Sequence, residues 1–130
     1  MALLIERVWT RVRDAAGRES GPEGARAILL ELLPLDALRR AEMEVTVSFL
    51  ALSIGDPSLR PAYSGAHQAI QGICAQALSH LGATSALVSM THAIVDGLAL
   101  HLLGQDPEED ASWAIAALDD HLNLLTKQLS

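Results

Sequence analysis

The residues best placed to do chemistry are His92 and Asp96, which stand four positions apart in the most apolar stretch of the sequence. At this spacing they share one face of a helix. An imidazole beside a carboxylate can bind a ligand, sense protons or supply two metal ligands. Because two ligands do not close a metal site, we favour a structural pair, or a hydrogen bond between subunits beside Gly97. The close approach of another helix would explain a glycine at that position.

No other group of residues predicts catalysis. The five histidines occur without an HExxH motif or a Glu-x-x-His pair, and the sequence contains no glycine-rich phosphate loop. Ser64-Gly65 and Cys74 lack the motif of a nucleophile elbow. Cys74 falls on an apolar helix line, where an inert buried thiol is expected. We predict that the protein is not an enzyme and has neither a metal site nor a cofactor.

The composition indicates a single domain that shares part of its surface with another subunit. Of the 130 residues, 50% are hydrophobic and only 19% are charged, which is a small charged fraction for a domain of this size. The net charge of −7 repels a phosphate backbone, so this segment by itself is not expected to bind nucleic acid. The lone Cys74 and the lack of a signal-peptide pattern predict a cytoplasmic protein.

Apolar residues at helical spacing, separated by glycine and proline, predict about six helices and no strands. The predicted helices cover residues 2–16, 22–33, 37–54, 62–81 and 84–103, with a last helix that begins at residue 107. Asp36 and Thr84 fit as N-caps, and residues 106–109 give the strongest local start signal. The apolar second half of the third helix predicts that this helix ends in the interior.

The last two predicted helices are too apolar for a small protomer to cover alone. Residues 87–103 are long enough to span a membrane, but an aspartate such as Asp96 at mid-bilayer costs about 2.5–3.5 kcal/mol. We therefore predict a buried helix and no membrane contact. The two helices are expected to form a four-helix bundle with those of a second copy. A monomer that shields Leu98, Trp113 and Leu122 itself would remove the main support for this inference.

Short sequence words in a fixed order resemble a known family. They are Asp36-Ala37-Leu38-Arg39-Arg40-Ala41-Glu42-Met43, Asp56-Pro57, Ala93-Ile94-Val95-Asp96-Gly97-Leu98-Ala99-Leu100 and Asp106-Pro107. With the helices around them, they resemble the C-terminal domain of TetR-family transcriptional repressors, nearest the BetI-like branch. The resemblance covers nearly the whole chain and implies an all-α, single-domain helical bundle that binds an effector and forms a homodimer.

In the family a helix-turn-helix domain precedes this region, and it is missing from these 130 residues. By resemblance, residues 1–16 correspond to the connector helix, which transmits ligand binding to the DNA-binding domains. Residues 84–130 correspond to the dimerisation helices. We expect contact with DNA only through the missing domain.

The resemblance also implies an effector cavity inside the bundle, beside the connector helix. The residues predicted to line this cavity are Trp9, Met43, Val47, Phe49, Leu50, Tyr63, His67, Ile70, Cys74, Met90, Thr91 and Ile94. The residues predicted to form the dimer interface are Val88, His92, Val95, Asp96, Gly97, Ala99, Trp113, Ala117, His121 and Leu124. The alternative, that each cavity candidate is an ordinary core residue, stays open.

The predicted function is effector sensing and dimerisation within a transcriptional repressor, with a small molecule in the cavity controlling DNA binding. The alternative is a stand-alone helical homodimer that acts as a structural or protein-interaction module. A well-formed cavity near Trp9 and His67 favours the first function, whereas a tightly packed core favours the second.

Overall fold

Six α-helices, joined by short loops, form this computed structural model, which describes residues 2–129. The helices are α1 (Ala2–Arg18), α2 (Gly21–Leu30), α3 (Ala37–Gly55), α4 (Arg60–Ser79), α5 (Ser85–Gly104) and α6 (Ser112–Leu129). A short 3₁₀ helix, Pro57–Leu59, stands between α3 and α4. Pro57 and Pro61 lie close together in the sequence, and prolines favour such a separate turn between two helices. The all-α prediction is confirmed, and no strand occurs within residues 2–129.

Helices α2 and α4 hold the bundle together. Helix α4 packs against α1, α2, α3 and α5, and α2 packs against α1, α4 and α6. One apolar core runs through these contacts. Its largest fully buried side chains are Ile28, Leu29, Leu33, Ile73, Leu78, Leu102 and Leu118. Helices α3, α4 and α5 also pack against one another in pairs.

Local capping signals place most helix ends where the sequence predicts them. The Asp36 carboxylate accepts a hydrogen bond from the Arg39 amide at 2.8 Å, which satisfies one of the free N–H groups at the start of α3. The Thr84 hydroxyl does the same for Leu87 at the start of α5. After α4, Gly82 adopts a φ of 70°, a left-handed conformation that glycine tolerates at a helix end.

The last helix begins five residues later than predicted, at Ser112. Asp106 does accept from the Glu108 amide, and the Glu109 carboxylate accepts from the Asp106 amide, so the predicted capping pattern forms. It closes a single turn and does not propagate. Asp110 then accepts from both the amide and the hydroxyl of Ser112. Such a local side-chain bond competes with continuation of the first turn, and α6 begins at Ser112.

The prediction that α3 ends in the interior is wrong. Leu52 is 60% exposed and Ile54 is 73% exposed, whereas the charged Glu42 in the first half of the helix is buried. The apolar residues of this half surround the helix, and α4 and α5 cover only the side that faces them. Hydrophobicity along the chain therefore does not tell which end of α3 is covered.

Arg40 joins the start of α3 to the end of α5. Its guanidinium donates to the carbonyl oxygens of Leu102, Leu103 and Gln105 at 3.0–3.3 Å. The Leu102 carbonyl also accepts from the Gln105 amide, and a cation at a helix C-terminus is favourable. Helix α5 is long and apolar enough to cross a membrane by length and composition alone. In the bundle it packs against α3, α4 and α6, and eight of its residues are buried, as the buried-helix prediction expects.

Candidate ligand cavity

A cavity of about 170 Å³ lies between α3, α4 and α5, and we call it the main cavity. Helix α3 contributes Met43, Thr46, Val47 and Leu50 to its lining. The remaining lining residues are Tyr63, His67 and Ile70 from α4, and His92, Asp96, Gly97, Ala99 and Leu100 from α5. The aliphatic wall of the cavity is formed by Met43, Val47, Leu50 and Ile70, and the polar wall by Tyr63, His67, His92 and Asp96. A mainly apolar lining with a few polar groups is usual in a small-molecule site.

The polar wall is organised by His92, whose side chain is only 4% exposed. Its Nδ1 lies 2.6 Å from the amide oxygen of Gln71 on α4, and the amide nitrogen of Gln71 donates to the Ser89 hydroxyl at 3.1 Å. With the amide in this orientation, Nδ1–H donates to Gln71. In the neutral ring, Nε2 then carries the lone pair and acts as an acceptor.

Nε2 of His92 lies beside the carboxylate of Asp96 but is not hydrogen-bonded to it. The distance to Oδ2 is 3.1 Å, which is within ion-pair range. The angle does not meet the requirement of a hydrogen bond, and Nε2 is the one buried side-chain polar atom within residues 2–129 that has no partner. Hydrogen bonds weaken steeply when misaligned, so the Asp96 carboxylate does not satisfy this nitrogen. A buried nitrogen without a hydrogen-bond partner is unusual in a folded protein.

Two further rings continue the polar wall toward the solvent. The ring of His67 stacks at a tilt on that of His92, with centroids 4.5 Å apart, and Tyr63 lies 6.0 Å beyond His67. Burial raises the pKa of the Tyr63 phenol, and the negative charge of Asp96 adds to the effect. The same two causes raise the pKa of the Cys74 thiol to about 12. The negative charge of Asp96 therefore helps to raise the pKa of two side chains on α4, those of Tyr63 and Cys74.

A second, smaller cavity of about 30 Å³ lies between α1, α3 and α4, and we call it the small cavity. It has room for water but not for an organic molecule. Helix α1 contributes Leu4, Ile5 and Val8 to its lining. Met43, Thr46 and Ile70 line both cavities, so they form the wall between them.

A buried charge network borders the small cavity. Arg11 of α1 donates to both carboxylate oxygens of Glu42 on α3, and its Nε donates to Glu31 at 3.0 Å. These hydrogen bonds, led by the one to Glu42, raise the pKa of Arg11 above its ordinary value. The sequence does not predict this pairing, because Arg11 and Glu42 are 31 residues apart and no local signal connects them.

Half of the residues predicted to line the effector cavity lie at the main cavity. They are Met43, Val47, Leu50, Tyr63, His67 and Ile70. The others lie elsewhere. Trp9 packs on Gly72, Cys74 is core, Phe49 and Ile94 are half-buried, Met90 is 55% exposed, and Thr91 is buried between α5 and α6. The role of these twelve residues in ligand binding stays a prediction.

The sequence did not predict Thr46 and Leu100 as cavity residues, and it assigned four further lining residues to the dimer interface, an assignment that stays a prediction. These are His92, Asp96, Gly97 and Ala99. A signal was present, because His92, Asp96 and Leu100 recur every four residues on one face of α5. The sequence alone does not determine whether that face of α5 packs against α3 and α4 or against a second copy of the chain.

The residues predicted for the dimer interface divide into three groups by exposure. Val88, His92, Val95 and Ala99 are buried inside the protomer, and Asp96, Gly97, Ala117 and His121 are half-buried. Trp113 is 43% exposed and Leu124 is 65% exposed. Leu98 and Leu122 are covered by their own chain, but Trp113 is not. The large exposed apolar side chains of α5 and α6 are Met90, Leu100, Trp113 and Leu124, and Leu100 also lines the main cavity.

Thr91 and His121 link α5 to α6. The Thr91 hydroxyl donates to the Leu87 carbonyl at 2.9 Å, so it accepts from Nε2–H of His121 at 2.8 Å. Burial lowers the pKa of His121, which keeps the ring neutral in this contact. Across the part of the chain that the structure describes, no three His, Cys, Asp or Glu side chains are grouped to hold a metal ion.

The arrangement of the helices matches that of a known regulator. A transcriptional regulator from Rhodococcus sp. Rha1 superposes with a TM-score of 0.81, and the match covers 98% of this chain and 69% of that one. The two sequences are 22% identical, so this likeness establishes the fold. No protein of curated function matches the chain in sequence.

The sequence profile of the BetI-type transcriptional repressor C-terminal domain matches residues 22–127. The chain belongs to this family. The resemblance read from the words around Asp36, Asp56 and Asp96 is thereby confirmed. The chain is therefore a C-terminal domain of the kind found in BetI-type transcription regulators. The matched range, residues 22–127, includes every residue that lines the main cavity.

Proposed function

We propose that this BetI-type domain senses a small-molecule effector in the main cavity and dimerises, and thereby controls DNA binding by a helix-turn-helix domain outside these residues. The observation that carries the proposal is the main cavity itself, about 170 Å³ between α3, α4 and α5. Its aliphatic wall supplies burial, and its polar wall supplies orientation. The alternative function, a stand-alone interaction module, predicts a packed core at this position.

The proposed signal passes from the main cavity to α1 through the wall that both cavities share. A ligand that presses on Met43, Thr46 or Ile70 acts on the small cavity, whose far side is α1. The ion pair of Arg11 with Glu42, the neighbour of Met43, ties the same two helices together. An effector shifts the equilibrium only if it binds one position of α1 more tightly than the other.

The proposed dimer forms through the exposed apolar side chains of α5 and α6. In a two-fold contact each protomer presents the same surface, so Met90, Leu100, Trp113 and Leu124 of both copies are brought together. Burial of such side chains contributes about 1.5–3 kcal/mol each. We place the protein in the cytoplasm, with no membrane contact and no cofactor.

A thermal-shift measurement with toluene tests the cavity. A cavity of this size accepts a benzene-sized molecule, and a ligand that binds only the folded state raises the melting temperature. Val47→Trp fills the main cavity and should abolish the shift. Val45→Trp is the matched control, because Val45 is exposed on the same helix and does not line the cavity. If Val47→Trp responds to toluene as the wild type does, the main cavity is not the binding site.

A further inference from the structure

The main cavity holds a negative charge that the chain leaves nearly unpaired. Asp96 lines it, and within residues 2–129 no arginine or lysine does. Among the described residues, the one basic nitrogen within 4 Å of its carboxylate is Nε2 of His92, at 3.1 Å; it is misaligned and, in the neutral ring, carries a lone pair and no proton. No hydrogen bond to the Asp96 carboxylate is formed in the described part of the chain. A ligand that brings a positive charge would therefore be favoured over a neutral or anionic one.

A second observation specifies hydrogen-bond donors. Nε2 of His92 is buried and has no partner, while Nδ1 is held by Gln71. Two acceptors, Nε2 and a carboxylate oxygen, thus face each other across 3.1 Å. A group with two N–H bonds satisfies both at once. The Asp96 side chain is 45% exposed, and its rotation away from His92 would open Nε2 to such a group.

The remaining lining sets the shape of the ligand. Met43, Val47 and Leu50 of α3 and Ile70 of α4 form the aliphatic wall of the cavity. The volume of about 170 Å³ is close to that of an engineered cavity that holds benzene. A compact apolar body of roughly this size fits against the aliphatic wall while the charged end meets the polar wall.

We propose that the main cavity takes a protonated primary or secondary amine with a compact apolar body, and that its N–H groups donate to Asp96 Oδ2 and His92 Nε2. This inference rests on the proposed function, and it adds the chemical class of the effector. Charge-assisted hydrogen bonds are stronger than neutral ones, so the ammonium, more than the apolar body, selects the ligand.

Benzylamine and four relatives with the same ring test the proposal on the full chain by titration calorimetry. Benzylamine should bind at least about tenfold more tightly than toluene, benzyl alcohol and benzoate, because only the amine joins positive charge to several donors. Benzyltrimethylammonium keeps the charge without N–H groups and should also bind at least about tenfold more weakly. Equal binding of the quaternary and primary amines, or tighter binding of benzoate, would overturn the proposal.

Asp96→Asn removes the charge and keeps the size of the side chain. We expect it to lower benzylamine affinity by about tenfold or more while toluene affinity stays within about twofold, which shows that the cavity is intact. Asp120→Asn on the outer side of α6 is the matched control, since Asp120 is exposed and does not line the cavity. If Asp96→Asn and Asp120→Asn bind benzylamine equally, the amine site is wrong.

The two proposals fail in different ways. If toluene binds and Val47→Trp abolishes its binding, but benzylamine has no advantage, the sensing function stands and the amine inference fails. If none of the five probes binds, both are contradicted.

Discussion

Arg11 and Glu42 form a two-pronged ion pair that joins the first helix to the wall of the main cavity. Both oxygens of the Glu42 carboxylate accept from the Arg11 guanidinium, and the Glu42 side chain is only 8% exposed. The next residue, Met43, lines both cavities. In the proposed mechanism, a movement of α3 at the cavity reaches α1 through this ion pair as well as through packing.

Arg11→Met should destabilise the fold by about 2–3 kcal/mol, because it leaves the buried carboxylate of Glu42 without its partner. Breaking a fully buried pair costs about 3–5 kcal/mol, and the smaller value is expected here because Arg11 is partly exposed. Urea unfolding measures the change. Arg13→Met is the control on the same helix, and it should cost less than about 0.5 kcal/mol, because the Arg13 side chain is 62% exposed. Similar midpoints for the two variants would contradict a structural role for the Arg11–Glu42 pair.

Gly97→Ala should weaken the proposed dimer while stabilising the protomer. A Cβ at Gly97 meets nothing within 4 Å in its own chain, and alanine is about 1 kcal/mol better than glycine in a helix. If a partner helix approaches there, the added methyl weakens association by about tenfold or more, since overpacking costs about 1–3 kcal/mol. Sedimentation equilibrium measures this.

The control for Gly97 is Gly65→Ala on α4, where an added Cβ is also unopposed. It should leave the dimer unchanged. A Gly97→Ala protein that dimerises as tightly as Gly65→Ala would show that no partner helix lies against Gly97.

The fold should lose stability as the pH falls below about 6.5, and His121 should account for part of the loss. Burial lowers the pKa of His121 in the folded state, whereas the unfolded chain has a pKa near 6.5. Below that pH the unfolded state binds more protons, so the free energy of unfolding falls. It levels off once the folded His121 is protonated too. Urea unfolding at pH 7.5 and 5.5 measures the difference.

His121→Gln keeps a donor toward Thr91 and removes the titrating group, so its stability should change less between these two pH values. His101→Gln, at an exposed position on α5, should behave as the wild type does. An equal pH response in all three proteins would mean that His121 does not contribute.

Cys74 should resist alkylation in the folded protein. The thiolate is the reactive form, and burial, helped by the charge of Asp96, raises the Cys74 pKa to about 12. At pH 8 iodoacetamide should label the thiol only in denaturant, as mass spectrometry would detect. Rapid labelling of the native protein would mean that the core around α4 opens readily.

The sequence determined where most helices begin and end, because the signals act within one turn. Asp36 and Thr84 start helices by accepting hydrogen bonds from amides three residues further on, and Gly82 follows the end of α4 in a left-handed conformation. The short sequence segment around Asp96 that resembles the family is also a local signal, and together with the other such segments it predicted the all-α bundle. The local signal at Asp106 was real as well, but Asp110 competes with it over the same few residues.

Only the tertiary structure decided which faces of those helices meet. His92 reaches Gln71 across α4 and α5, and Arg11 reaches Glu42 across α1 and α3. Helical spacing shows that His92 and Asp96 share a face, but the rotation of α5 in the bundle turns that face toward α3 and α4. The core residues of neighbouring helices set this rotation together, since each side chain must fit its neighbours in a close-packed interior. That fit is a property of the whole bundle and of no single segment.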